Sequence, residues 1–554
     1  MAALKPFPAK KHRVRPLKRL MDEFCSNSAI HGVKYFVGAH RALIEKTWWI
    51  LVFLVSLAGC GILIRTIFFK WLSEPVILTY AQKAVPVFMI PFPAVTICPE
   101  TKAKMRNFNF TKMYHTTSRA NYRANETDEQ LQKLEVMLQI CEFVFNRMTS
   151  NRSFDDDCVK LMRRLAIPPH EIFILCRWRN KAFNCFEEFS ITLTDVGICF
   201  TFNSAAEKDI MRVDQLIPNQ RYMSAARSSN NWSLEEGYPQ GASIHTYPRR
   251  VIGAGITSGL SILLKSNISD FDYLCGNSFQ GFRALLHMPT EYPLLINQHF
   301  RIPLEHETTV AVLPQVIITS ESVQSYQPKR RKCFFDHERY LRFFRVYTQS
   351  NCEHECLANF TIRRCGCVAF YMPRAPGVRI CGLGLKKCYQ DAMIELLEME
   401  ANLYGRSQRF VKECSCLPGC TSILYNTEIS QASFDWTKVI TIESKLGKAL
   451  EGTQLAHLQV FFKDSRLRPI ERNELYGSTD LIANCGGLLG LFMGVSLLSL
   501  MEIMYFCAVR PLIKWLLPVF VEPKINHKLA KVNLLEVQPI HQGNEFIKPK
   551  IVVY

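Results

Sequence analysis

Leu481-Ile482-Ala483-Asn484-Cys485-Gly486-Gly487-Leu488-Leu489-Gly490-Leu491-Phe492-Met493-Gly494-Val495-Ser496-Leu497-Leu498-Ser499-Leu500-Met501 carries no charge over twenty-one residues, meets Glu502, and stays apolar to Val509 before Arg510. A run of that length crosses a hydrocarbon core roughly 30 Å thick. Glycines recur at 486, 490 and 494, a small-x-x-x-small face that lets helix backbones approach closely in lipid. Tight helix association explains the glycines by themselves. Glu502 adds a second requirement, because a carboxylate at membrane depth is costly unless it faces a bundle interior or water, and such residues mark ion pathways. Ser496, beside a helix weakened at Gly494, offers a hydroxyl and exposed carbonyls that replace water around a small cation at a constriction. The run therefore reads as a pore-lining span with a cation-favouring site.

A second apolar stretch, residues 47–64, continues past Arg65 to Phe69 and is also long enough to span. A 46-residue leader precedes it and no small-residue cleavage site follows, so it reads as a retained anchor and not as a signal peptide. Residues 1–46 carry a net charge of +7 and residues 510–554 a net +4, which places both flanks in the cytoplasm. Together they hold eleven of the +18 formal charges, so the basic balance reflects topology and attraction to anionic lipid and calls for no nucleic acid. The expected layout is a cytoplasmic segment at 1–46, a first transmembrane helix at 47–69, an extracellular cysteine-rich domain at 70–480, a second transmembrane helix at 481–509 and a cytoplasmic segment at 510–554 in the plasma membrane.

Six Asn-x-Ser/Thr sequons, at Asn109, Asn125, Asn151, Asn231, Asn267 and Asn359, all lie between the spans, as glycosylation of an extracellular loop requires. Of 21 cysteines only Cys25, Cys60, Cys485 and Cys507 fall in flanks or spans. Seventeen remain in an oxidising compartment where disulfides persist, and an odd number leaves one thiol unpaired or intermolecular. Zinc competes for the dense cluster from Cys333 to Cys420, since C-x-C and C-x3-C spacings ligate metal, but outside the cell disulfides are the stronger reading. Cys352 and Cys356, four apart, share a helix face and suit an antiparallel partner such as Cys416 and Cys414. A ladder of that kind makes a rigid, force-transmitting column.

No linker, low-complexity tract or repeat divides the loop, which predicts one α+β ectodomain with subdomains. Residues 94–97, 190–194 and 310–318 read as strands, and Pro314 within the third suggests an edge or a bulge. A capping box, Thr127-x-x-Gln130, starts a helix with Leu131, Leu134, Leu138 and Cys141 on one face. A second helix is expected over residues 391–404, with Met393, Leu396 and Leu397 as a buried stripe.

Several stretches taken in order resemble the degenerin and epithelial sodium channel family, most closely its insect pickpocket branch. They are Ser28-Ala29-Ile30-His31-Gly32, Pro91-Phe92-Pro93-Ala94-Val95-Thr96-Ile97-Cys98-Pro99, Gly197-Ile198-Cys199-Phe200-Thr201-Phe202-Asn203, Cys365-Gly366-Cys367-Val368 with Tyr371-Met372-Pro373, Cys414-Ser415-Cys416-Leu417-Pro418-Gly419-Cys420, and Gly494-Val495-Ser496. The resemblance implies a trimeric channel, homomeric or built with related subunits, whose ectodomain has a palm β-sheet with finger, thumb and knuckle regions. Gly494, Val495 and Ser496 would form the selectivity constriction, His31 and Gly32 a re-entrant gating loop, Ala483 the small-residue gating position, and Glu502 an acidic position on the cytoplasmic side of the filter. It further implies the disulfides Cys98–Cys199, Cys176–Cys185, Cys333–Cys420, Cys352–Cys416, Cys356–Cys414, Cys365–Cys388 and Cys367–Cys381. Cys141, Cys158 and Cys275 fall outside that pattern, and a finger bridge between Cys141 and Cys158 is the expectation. Asn484 and Leu488 depart from the acidic residue and the glutamine of many members, which weakens the negative potential at the outer mouth.

With these features, the resemblance implies a voltage-independent, sodium-preferring, amiloride-sensitive cation channel with a sensory or epithelial role, needing no cofactor beyond permeant Na+ and binding no metal. An extracellular ligand is left open. No nucleotide-binding, zinc-protease or serine-hydrolase motif occurs, and an enzyme reading has no support. A two-pass glycosylated scavenger or adhesion receptor shares the topology but has no use for Glu502 or Ser496. An ATP-gated two-pass trimer would want clustered basic residues, and Lys329-Arg330-Arg331-Lys332 is such a run, read here as a solvated face.

Overall fold

Alternating burial along extended segments and all-round apolar surface along one long helix divide this chain into two kinds of structure. The computed structural model describes residues 14–37, 41–118, 128–141, 154, 157–218, 221–224, 232–276, 279–296, 298–405, 414–436, 438 and 450–516. Thr127, and with it the expected capping box, lies outside them, as do Asn125, Asn151, Asn231 and both chain ends. Two compact units result: residues 1–70 with 478–554, and residues 71–477.

In the first unit the helix Leu43–Ser73 runs 31 residues, about 46 Å at 1.5 Å per residue. Its apolar side chains point outward all round, and only Cys60 among its residues is buried, as expected of a helix solvated by lipid. The carboxy-proximal apolar run is not one helix. Ser478–Met493 ends at Gly494, Leu497–Met504 begins after Ser496, and the axes of Ser478–Met493 and Leu497–Ile513 differ by 75°. A π-turn at Tyr505–Val509 leads into Arg510–Leu516. The single span expected over 481–509 is thus a broken pair.

Among its described residues the second unit holds a two-residue ladder of Val85–Pro86 with Arg466–Leu467 and two larger sheets. The strands of the two larger sheets are, in chain order, β1 (Val76–Tyr80), β2 (Ala94–Pro99), β3 (Phe173–Trp178), β4 (Lys181–Phe183), β5 (Phe189–Thr194), β6 (Gly197–Phe202), β7 (Leu260–Asn267), β8 (Gly281–His287), β9 (Phe300–Pro303), β10 (His306–Thr319), β11 (Ser422–Ser433), β12 (Thr453–Phe462) and β13 (Ile470–Glu474). The larger sheet has the order β1-β13-β10-β12-β7-β3-β4, with β11 on the other side of β10. The smaller has the order β9-β8-β2-β6-β5. Between them Phe92, Ile97, Phe202, Trp178, Ile262 and Phe462 form one apolar core. Burying an aromatic or branched side chain there contributes about 1.5–3 kcal/mol.

Pro314 marks neither an edge strand nor a bulge. The β10–β11 register runs through it without a slip, pairing Pro314 with Tyr425. On the opposite side β12 pairs only to Val312 and β13 only from Ile317, so the missing N–H falls in the gap between two neighbours. The basic run is likewise not a solvated face throughout. Lys329 and Lys332 are exposed, but Arg331 is buried and ion-paired with Glu338, and the Arg330 guanidinium lies over the Trp71 and Tyr326 rings at 4.3 and 4.2 Å.

A helical layer covers a second core. Asp128–Ile140 buries Leu134, Met137 and Leu138, and Gln349–Cys365 starts at Thr348, whose side chain accepts from the Asn351 N–H. Cys352 and Cys356 on that helix bond to Cys416 and Cys414, while Cys333–Cys420, Cys365–Cys388 and Cys367–Cys381 flank them. Lys386–Gly405 covers the second helix expected near residues 391–404, but of the expected stripe only Leu396 is buried, with Met393 half-buried and Leu397 exposed. Elsewhere Cys98 bonds Cys199 and Cys176 bonds Cys185. The expected Cys141–Cys158 bridge is incorrect. Cys141 follows the helix Asp128–Ile140 and bonds Cys275, Cα–Cα 4.6 Å, while Cys158 sits on the inward face of Asp157–Leu165 as the unpaired thiol, its pKa pushed up to about 12 by burial.

Candidate functional site

Glycine at 494 ends the first half of the broken pair because its backbone takes φ +65°, a left-handed conformation that side chains with a Cβ resist. Ser496 then caps the next helix: its hydroxyl accepts from the Ser499 N–H at 3.3 Å and its own N–H donates to Ser499 Oγ at 3.2 Å. The reciprocal pair is a capping box, and Ser499 is fully buried within it.

Against this break lies the loop that follows Val14–Asn27. The His31 N–H donates to the Met493 carbonyl at 3.0 Å, and the His31 ring fills the space beside Gly494 so closely that a Cβ there would stand 2.4 Å from Nδ1. Gly32, at φ +85°, turns the chain back. The Ala29 N–H donates to Glu502 Oε2 at 3.1 Å, so the carboxylate is satisfied in part by backbone. Cys25, Ile30 and Val33 form a small core with Phe53, Val495 and Ile503. Glu23 pairs with Arg510, Phe24 meets Phe506 edge-on at 5.6 Å, and Tyr35 stacks on Trp49 at 4.4 Å.

The structure thus brings together His31, Gly32, Gly494, Val495, Ser496 and Glu502. One of the carbonyls expected to be open at the break, that of Met493, is occupied by His31. Ala483 stands apart, exposed on Ser478–Met493 next to Asn484, and Gly486 and Gly487 face open space in the single chain. Of the sequons, Asn359 is exposed on a helix, the Asn109 side-chain oxygen accepts from the Lys112 N–H at 2.8 Å, and Asn267 Nδ2 donates to Asp270 at 3.3 Å. Among the described residues no cluster of His, Cys, Asp or Glu is arranged to hold a metal ion.

Sequence reasoning missed Ala29, Ser499 and the Glu23–Arg510 pair. The Ser496-x-x-Ser499 spacing is a legible cap signal. Nothing local points from Glu23 to Arg510.

A family description, "Amiloride-sensitive sodium channel", matches residues 24–506. The chain is similar to "Pickpocket protein 28" of Drosophila melanogaster, 27% identical over 510 residues, covering 89% of this chain and 79% of that protein. It is also similar to "Sodium channel protein Nach" of Drosophila melanogaster, 25% identical over 507 residues and covering 89% and 88% of the two. "Acid-sensing ion channel 1A" of Danio rerio is 23% identical over 504 residues, covering 87% of this chain and 86% of that one.

Proposed function

The chain belongs to the amiloride-sensitive sodium channel family, whose members are ion channels and not enzymes, and on that premise we propose that this ion-channel subunit forms a voltage-independent, sodium-preferring, amiloride-blocked pore in the plasma membrane. Three copies, identical or related, set their Ser478–Met493 helices around one axis, with both chain ends cytoplasmic. Conduction serves sensory or epithelial signalling and needs no bound cofactor.

The observation that carries this reading is the helix break at Gly494-Val495-Ser496, held from one side by the His31 loop. Backbone that leaves the helical ladder at membrane depth is tolerated where it is buried in protein or lines a water-filled path. Repeated three times, Ser496 and the neighbouring carbonyls make a ring of oxygen dipoles that replaces the hydration shell of a small cation. Glu502, one turn and a half further, keeps the local potential negative. Asn484 lacks the charge that would gather cations at the outer mouth, so amiloride and divalent ions bind there less tightly than in relatives with a carboxylate.

Sodium current in a heterologous cell tests the assignment. Ala483→Val should add standing current by holding the pore open, and Gly494→Arg should abolish current at unchanged surface density. If Ala483→Val adds nothing and Gly494→Arg leaves wild-type current intact, the pore is elsewhere.

A further inference from the structure

We infer that the outer face of the larger sheet carries a binding site for a small carboxylate bearing one apolar or aromatic group, either a free acid or the carboxy end of a peptide. A cavity of about 240 Å³ opens there, lined by residues of the second unit. Its floor follows from strand register. β3, β7 and β12 are adjacent, and Arg177 stands opposite Ser261, which stands opposite Gln459. Two residues along, Leu175 stands opposite Leu263, which stands opposite His457. Side chains alternate across a sheet, so all six share one face, as a polar row beside a mostly apolar one, while Cys176, Ile262 and Leu458 between them enter the core.

The walls and the charge define the occupant. Trp436, set edge-on to Phe434 at 5.5 Å, lines the cavity and packs with Leu263, giving an apolar ring a surface to stack on. Among the described residues Arg177 makes no ion pair and no carboxylate lines the cavity. A planar guanidinium in a polar row beside apolar side chains is suited to bidentate recognition of a carboxylate. Gln459 Oε1 is buried without a hydrogen-bond partner among the described residues; turned about its last side-chain bond, the amide puts its NH2, a donor to an acid, where that acceptor stands. Ser261 Oγ lies 2.9 Å from His457 Nε2, and His457 Nδ1 lies 3.2 Å from Glu307 Oε2 on the next strand, β10. That relay orients the Ser261 hydroxyl. It does not make a hydrolytic centre, because Ser261 sits mid-strand with ladders on both sides, and the backbone donors that an oxyanion hole requires are already committed.

The test uses the purified full chain in detergent and equilibrium dialysis with phenylacetate, read without any current, so that failure here is separable from failure of the pore reading. Phenylacetate should bind saturably and at least tenfold more tightly than neutral phenylacetamide. Arg177→Gln should weaken it at least tenfold, with partial recovery in Arg177→Lys, and Trp436→Ala should weaken it with the melting temperature unchanged. If Arg177→Gln does not fold, Ser261→Ala and Trp436→Ala carry the comparison. A Gly-Gly-Ala-Phe peptide with a free carboxylate distinguishes the sources: tighter binding than phenylacetate assigns the site to a peptide end, weaker binding to a free acid. Absence of saturable binding by both ligands, equal binding of acid and amide, or unchanged binding in folded Arg177→Gln overturns the site.

Discussion

The His31 backbone N–H and the Met493 carbonyl, 3.0 Å apart, join an amino-terminal loop to the last turn before the helix break. The Gly494 backbone, at φ +65°, faces the His31 ring with no room for a Cβ. Gly494→Ala should therefore reduce current at least tenfold at matched surface density, measured by surface biotinylation beside whole-cell recording. His31→Ala in the same chain removes the clash but leaves the left-handed backbone strain, which costs about 1–2 kcal/mol. The double variant should recover part of the current, a non-additivity expected of residues in contact. Independent, additive losses would show that the ring and the glycine do not meet.

Glu502 is placed to hold the same loop from its other side, accepting from the Ala29 N–H at 3.1 Å. A hydrogen bond to a charged group contributes about 1.5–3 kcal/mol. Glu502→Gln keeps an acceptor and should keep most of the loop's docking, although it loses charge, whereas Glu502→Leu loses both. We expect the leucine variant to conduct at least tenfold less than the glutamine variant, with currents normalised to surface protein. Equal currents would assign Glu502 to charge alone.

How far the residues foretold this arrangement depended on whether the signal was local. The glycine at 494 is local, since it weakens a helix wherever it stands; Ser496 reads as an oxygen ligand and not as the cap it forms, and His31-Gly32 is expected only from the family resemblance. Cys352 and Cys356 were legible for the same reason, since four residues on a helix define one face. The Cys141–Cys275 bond was not, because it depends on where the helix Asp128–Ile140 ends relative to a loop after β7. Pro314 misled because a strand can have two successive neighbours on one side, and the proline falls where one stops before the other starts. Arg330 and Arg331 misled because a charge run says nothing of the rings and carboxylate that fold against it. The array of Arg177, Ser261 and Gln459 was beyond reach, since only the pairing of β3, β7 and β12 makes them neighbours.

The bond between Cys141 and Cys275 closes a loop of 134 residues. By chain entropy, a loop that long contributes up to about 5 kcal/mol. Cys141→Ser and Cys275→Ser should each lower the melting temperature and expose one additional thiol on denaturation, while Cys158→Ala should leave every disulfide in place. Non-reducing peptide mapping decides the matter. A peptide joining Cys141 to Cys158 would refute the pairing.

His354 tests the second core through pH. Its ring is buried beside Tyr292 at 5.1 Å and Phe344 and Tyr371 at 6.0 Å, and neither nitrogen has a hydrogen-bond partner among the described residues. Burial drives its pKa from the usual 6.5 down to about 3. Below pH 6.5 the unfolded chain binds a proton that the folded chain refuses, so stability is present above that value and is lost as pH falls toward 3. The loss approaches about 1.4 kcal/mol per pH unit when fully developed. His354→Leu removes the proton site and two buried polar atoms at once, so it should flatten the acid slope of the melting temperature between pH 6.5 and 4 and leave stability at pH 7.5 equal or higher. An unchanged slope would mean that the imidazole reaches water or a partner in the folded chain.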